Sequence, residues 1–401
     1  MPQTVDASFL ISVYRPHPEH FLTTVKSVLR VMREASCTSE LLLCDDGSPE
    51  DCSALLEQAR QLAPDMVRAW RSPQNRGIGP SRCAMVEASR GRYLASFDQD
   101  DIMLPFGLDR VIGLLDANRN YSSSDARKWL FDENGLTGEV HGNNMSRFNM
   151  LFTPKVNINA MLIRREDLLA HGSFMPCPNS PINDDVFLMI RLGADTDLHY
   201  DAEVPRALYR VHAGQNSLKY AELNSRDFPV MCQYIINQYP ELYQQIQRGD
   251  IPECTPENFR IVQGLTGIAT YFNQRDYPLA DHLCAVAAER HPEDSGAWEH
   301  WLILNSGSQT MEKWEDIFRR ANQQFADNVD ALFIFWLIAC DRADRLFGKV
   351  PEEVLAETRR LQSIAWAPPQ IVLDNVPPPA VKKQAHSSRP AYTFVEQPIV
   401  F

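Results

Sequence analysis

Paired cysteines are missing from this 401-residue sequence. Nine cysteines are scattered along it (Cys37, Cys44, Cys52, Cys83, Cys177, Cys232, Cys254, Cys284 and Cys340), an odd number with no C-x-x-C pair. That pattern suggests neither a zinc knuckle nor a disulfide framework, and a reducing, cytoplasmic setting is the expectation, with attachment at the inner membrane face left open. No apolar run approaches the roughly 20 residues of a membrane span. The opening "MPQTVDASFLISVYRP" lacks a basic flank and reads as a first strand, so no signal peptide is expected. Basic charge is also scarce: 39 Lys and Arg stand against 52 Asp and Glu, a formal net charge of -13. A nucleic-acid groove needs clustered cations, so no nucleic-acid partner is expected. A bound nucleotide remains open, because a divalent cation can bring phosphates to an acidic site.

What is present is an ordinary globular composition, 44% hydrophobic and 23% charged, in a chain long enough for two domains. The first part alternates strand and helix patterns. "SFLISVY" is an apolar run, and "EHFLTTVKSVLRVMRE" then places Phe21, Val25, Val28 and Met32 on one helical face. "ELLLCDDGS", "VRAWRS" and "RYLASF" read as further strands, with helices over "PEDCSALLEQARQL" and "GPSRCAMVEAS" between them. This order predicts an α/β fold with a mostly parallel sheet, whose ligands collect beyond the carboxyl ends of the strands. Tyr14-Arg15-Pro16, Asp45-Asp46-Gly47 and Asp98-Gln99-Asp100-Asp101 all stand at those ends and should meet in one crevice. "KWLFDENG" and "VNINAMLIRREDLLAHGSF" read as strand with turn and strand with short helix, and "NDDVFLMIRLGA" as a helix.

Beyond about residue 225 the chain turns helical. Two segments align at a shift of 34 residues, which sets Ala287 over Ala321 and Ala297 over Ala331. That is the tetratricopeptide period, though the signature residues are mostly absent. Trp298, Trp301, Phe335 and Trp336 are expected in the core of these helices. The proline-rich stretch from Ala367 is expected to hold no regular helix and to be either disordered or an extended arm. The division predicted is 1–224 catalytic, 225–366 helical and 367–401 tail, with donor recognition separable from the helical part.

"YLASFDQDD" poses the chemical question, because a buried apolar strand runs straight into three carboxylates. Like charges repel and desolvated carboxylates are costly, so something must offset them. In order and spacing, "SVYRP", "LLCDDGS", "NRGIGPSRCAMVEASRGRYLASFDQDD", "NDDVFLMIRL" and "YRVHAGQNS" resemble a family 2 glycosyltransferase of GT-A fold. The resemblance spans roughly residues 8 to 217, about half the chain. It implies a nucleotide-sugar donor, with a UDP-sugar the first to try, and a divalent cation, Mn²⁺ or Mg²⁺, that stabilises the leaving diphosphate. The acceptor would be a hydroxyl of a glycan, lipid-linked glycan or protein.

By that resemblance Asp98 faces the donor ribose or sugar, and Asp100 is a metal ligand at the D-x-D position. Asp45 accepts from the base N–H. Asp46 either touches ligand or forms an Asx turn before Gly47. Tyr14 lies on the base face or is a core-edge tyrosine, and Arg82 helps hold the nucleotide from the start of a helix. Asp185 takes the position of the catalytic base that removes the acceptor proton in an inverting displacement. Asp184 belongs to the donor site, although a helix N-terminus also favours carboxylates without chemistry. His212 completes the metal or diphosphate site. Cys83 and Arg15 stand where the family often has Asn, so the resemblance selects no nucleotide.

Two other classes fit the sequence less well. A nucleotidyltransferase would carry a glycine-rich basic loop after the first strand, and "SVYRPHPEHF" contains no glycine. A non-catalytic interaction protein would use the helical half to hold a protein partner, with Asp98, Asp100, Asp185 and His212 left without a purpose.

Overall fold

The computed structural model describes residues 5–141, 158–177, 183–201, 203–212, 214–215, 221–250, 252, 258–273, 278–290, 292, 295–304, 311–347 and 349–378. Its first part follows the alternation in the sequence: β1 (Val5–Val13), α1 (Pro18–Glu34), β2 (Ser39–Asp45), α2 (Ser53–Gln61), β3 (Val67–Arg71), α3 (Ile78–Ala88) and β4 (Gly91–Phe97). β1 pairs in parallel with both β2 and β4, and β2 with β3. A central parallel strand must be apolar on both faces because helices cover both. Phe9 and Ile11 of β1 accordingly share a cluster with Phe21, Val25, Val28 and Met32 of α1, while Leu10 packs with Met85 and Val86 of α3.

The next elements are β5 (Ile102–Met103), α4 (Leu108–Ala117), β6 (Tyr121–Ala126), β7 (Lys128–Asp132), β8 (Gly135–His141), β9 (Leu162–Arg164), α5 (Arg165–Ala170), α6 (Asp184–Leu192), β10 (Asp197–Asp201) and β11 (Ala207–Arg210). β9 is antiparallel to both its neighbours and completes a seven-stranded sheet of order β10-β6-β9-β4-β1-β2-β3. A second sheet of order β5-β11-β7-β8 stands beside it. Pairing of β5 with β11 brings the turn after β4 against residues 210–212.

Helices follow: α7 (Ala221–Gln238), α8 (Pro240–Arg248), α9 (Phe259–Asn273), α10 (Pro278–Arg290), α11 (Ser295–Leu304), α12 (Met311–Gln324), α13 (Val329–Phe347) and α14 (Glu352–Ala365). Ala287, Ala297, Ala321, Ala331, Trp298, Trp301 and Phe335 are buried in one cluster, against which Trp336 is partly buried. The same cluster contains Cys177, Phe187 and Ile190, so the apolar core runs across residue 225 without a break. The proline-rich stretch, expected to hold no regular helix, carries a single turn, α15 (Gln370–Leu373). It begins directly after Pro369, whose fixed φ suits a helix start. Its Val372 is fully buried against Leu104, Trp129, Phe131 and Leu208 of the second sheet. The rest of the expected arm, 379–401, lies outside the described residues. Among the described residues no helix is long and apolar enough to cross a membrane.

Candidate functional site

The three polar clusters at the strand ends are tied together by side chains. Gln99 takes the Tyr14 backbone N–H on its Oε1 and returns an N–H to the Tyr14 carbonyl, both at 2.9 Å. This joins the end of β1 to the end of β4. On the other side, Arg15 N–H donates to Ser48 Oγ at 2.9 Å, and Ser48 Oγ donates to Asp45 Oδ1 at 2.7 Å. Tyr14 is left exposed, with the Arg15 guanidinium over its ring at 5.4 Å.

Asp45 and Asp46 end β2 in different ways. Asp45 is fully buried; its Oδ1 serves Ser48, while Oδ2 has no hydrogen bond and faces Arg71 Nε at 3.5 Å. Asp46 instead accepts the backbone N–H groups of Arg76 and Gly77 at 3.1 and 2.8 Å. It thereby closes the loop after β3 over Gly47. Gly47 has φ +66°, and a Cβ there would lie 2.4 Å from the Gln74 carbonyl carbon.

Each carboxylate after β4 has its own partner. Asp98 Oδ1 is 3.3 Å from Arg82 Nη2, and Oδ2 accepts from Asn159 at 3.1 Å. Burial raises its pKa against the opposing pull of Arg82. Asp101, almost fully buried, accepts the Arg210 backbone N–H at 2.7 Å and the Asn159 amide. Burial pushes its carboxyl well above the usual range. Asp100 has His212 Nε2 2.9 Å from its Oδ2, and the Arg210 side chain donates to its carbonyl at 2.8 Å. Asp100 and His212 are both partly exposed.

Arg82 links this acidic turn to α6. Its guanidinium, 4% exposed, reaches Asp184 Oδ2 at 3.0 Å as well as Asp98. Burial alone would depress its pKa; Asp184 and Asp98 reverse that and hold it above its ordinary value. Asp185, next on the helix, is half-buried and accepts the Val186 N–H at 2.8 Å. Burial and the neighbouring Asp184 push its carboxyl up to about 6. The structure therefore brings Asp98, Asp184 and Arg82 into direct contact, Asp100 and His212 into direct contact, and Tyr14, Asp45 and Asp46 onto the facing strand ends.

Asn159, Gln99, Ser48 and Arg210 belong to this site and were not singled out from the sequence. Asn159 is 58 and 61 positions from the carboxylates it holds, so no local pattern could have exposed it. Gln99 stood inside the acidic motif, and a polar residue between carboxylates was the available signal.

The donor set suits a hard divalent cation: one carboxylate and one imidazole in contact, facing solvent, with further ligands available from phosphate oxygens and water. Among the described residues no group of three or more His, Cys, Asp or Glu side chains is arranged to hold a metal by itself. Such a cation would depend on its substrate for the remaining ligands.

The parallel-rich sheet with its ligand-facing strand ends, followed by helices, is an α/β fold of nucleotide-diphospho-sugar transferase class. Residues 8–181 match the family model described as Glycosyl transferase family 2. The putative glycosyltransferase EpsE of Bacillus subtilis is 25% identical over 116 residues, 29% of this chain and 42% of that protein. The succinoglycan biosynthesis protein ExoO of Rhizobium meliloti is 32% identical over 113 residues, 28% of this chain and 30% of that protein. The chain thus spans less than half the length of these relatives. Among solved structures, S. aureus TarS 1-349 in complex with UDP-GlcNAc aligns with a TM-score of 0.46 at 11% identity, over 86% of this chain and 93% of that one.

Proposed function

We propose that the protein is an inverting, cation-assisted glycosyltransferase that moves a sugar from a nucleotide-sugar donor to a hydroxyl of a glycan, lipid-linked glycan or protein acceptor. The observation that supports this reading is the Asp98–Arg82–Asp184 bridge, which joins the acidic strand end to the first carboxylate of α6. Tyr14 and Asp45 would face the base, and Asp98 the ribose or sugar. Asp46 would support that wall through the loop it closes. Arg82 would act through the two carboxylates it holds in place. Asp185 would take the proton of the acceptor hydroxyl as its oxygen bonds to the anomeric carbon and the bond from that carbon to the diphosphate breaks. Asp100 and His212 would hold a cation, Mn²⁺ or Mg²⁺, which would supply positive charge to the departing diphosphate.

In this reading 1–224 is the catalytic part, 225–366 a helical part built from degenerate hairpin repeats, and 367–401 a tail. A nucleoside diphosphate tests the reading directly. UDP with Mn²⁺ at about 100 times its Kd should raise Tm by roughly 2–4 °C, and EDTA should remove most of the gain. Asp100→Ala should keep the apo Tm and lose the metal-dependent part. Unchanged metal dependence in that variant would show that the cation binds elsewhere.

A further inference from the structure

We propose that Asp227, in the helical half, is a positioning residue for Asp185; this rests on the glycosyltransferase reading above and extends it to residues beyond the matched domain. Asn183 immediately precedes α6 and holds a left-handed backbone, φ 65° and ψ 21°. A residue in that place usually has extended backbone, with its side chain capping its own helix. Asn183 makes no such cap. Its amide instead donates to Asp227 Oδ2 at 2.8 Å, and Asp227, on α7, is 2% exposed. A buried carboxylate is costly unless it is hydrogen-bonded, so the contact holds both partners in place.

The Asn183 carbonyl meanwhile accepts the Phe187 N–H at 3.0 Å, which makes its peptide the first rung of α6. Asp184 and Asp185 are the next two residues, so the direction of both carboxylates follows from the backbone angles at Asn183. The helical half also secures the rest of α6. Phe187 meets Tyr234 of α7 edge to face at 4.9 Å. At the far end Arg260 of α9 donates to the carbonyls of Gly193 and Thr196, at 3.3 and 2.6 Å, where a helix terminus leaves acceptors unfilled. The helix bearing the base is therefore gripped at both ends by residues from beyond position 225. The Asp227 contact is the one that sets the angle of the base, because the left-handed backbone it stabilises costs energy in a non-glycine residue.

The test uses the full chain and an exchange of partners. In Asp227→Ala and in Asn183→Asp the amide-to-carboxylate contact is lost, the second by setting two carboxylates against each other. In the double variant Asn183→Asp/Asp227→Asn the contact re-forms with donor and acceptor exchanged. Amide hydrogen exchange at Phe187, which needs no substrate, should lose about tenfold in protection in each single variant and recover in the double one. With UDP-glucose, UDP-N-acetylglucosamine and UDP-galactose as donors, kcat should fall about tenfold or more in the single variants. Donor KM should stay within about twofold, the mark of an interaction that acts on the transition state. The double variant should restore kcat. Should Asp227→Ala prove insoluble, Asn183→Asp and its double partner decide the matter alone. Unchanged protection in the single variants, or no recovery in the double one, overturns the inference. Full turnover in Asp227→Ala beside a crippled Asp185→Asn overturns the inference alone. Full turnover in Asp185→Asn overturns the base assignment and the inference with it.

Discussion

As the proposed base, Asp185 has to meet two demands that rarely coincide in an exposed carboxylate: it must be ionised to act and basic enough to take a proton. Burial and the charge of Asp184 push its carboxyl up to about 6, close to where a general base works best. The sign is direct. Lower pH protonates the carboxylate and removes the base, so turnover should rise as pH passes upward through about 6. With an otherwise intact site, kcat at pH 5 should be about a tenth of its plateau value. In Asp185→Asn the plateau should drop about 10²-fold or more, and the acid limb should vanish, while donor affinity stays the same. An acid limb that persists in Asp185→Asn would assign that titration to another group. Legibility at this scale was uneven. Asp98, Asp100, Asp184, Asp185 and His212 stood in ordered motifs, whereas Asn159 and Gln99 act through contacts that no spacing displays.

Among the elements, β1, β2 and β4 were readable because central parallel strands are continuous apolar runs, as "LLLCD" in β2 is. β6 was not readable, and its composition explains why. Its sequence is "YSSSDA", with Ser122, Ser123, Ser124 and Asp125 almost wholly buried. Part of its polarity is bonded: Ser124 accepts from the buried Arg206, and Asp125 pairs with the buried Lys128, while Ser123 Oγ and the second Asp125 oxygen carry no hydrogen bond. α3 and α6 show a second kind of hidden design. A Cβ on Gly79 of α3 would come within 3.0 Å of the Phe174 carbonyl oxygen and 3.2 Å of Asp184 Cβ. The glycine lets the two helices approach closely enough for Arg82 to reach Asp184. Gly79→Ala should therefore force them apart, at about 1–3 kcal/mol by the usual cost of overpacking. Turnover should fall more than that loss of stability explains. Thermal unfolding and kcat measured together would reveal whether the two effects separate.

For the whole molecule, the expectation that donor recognition is separable from the helical half does not fit the packing. Phe187 and Ile190 of α6 lie in one apolar cluster with Met231, Ile235, Leu265 and Ile268, and Arg127, between β6 and β7, donates to the Ala365 carbonyl at 2.9 Å. Both contacts bring late residues onto early ones. A chain ending near residue 225 would bare the outer face of α6, and it should be insoluble or lack cooperative unfolding in calorimetry. A soluble fragment with full-length donor affinity would show that the shared core is dispensable. The same arrangement has a consequence for how the protein is made. Arg127 waits for a partner 238 positions later in the chain. At translation rates of about 5–20 residues per second, that interval is roughly 10–50 s. Within it, α6 precedes Ile268, the last of the residues named above that cover it, by 76 positions, so it waits uncovered for roughly 4–15 s at those rates. A nascent chain with that apolar face bare is a natural client for chaperones, and pauses in translation between residues 225 and 270 should reduce the yield of native protein more than pauses placed elsewhere.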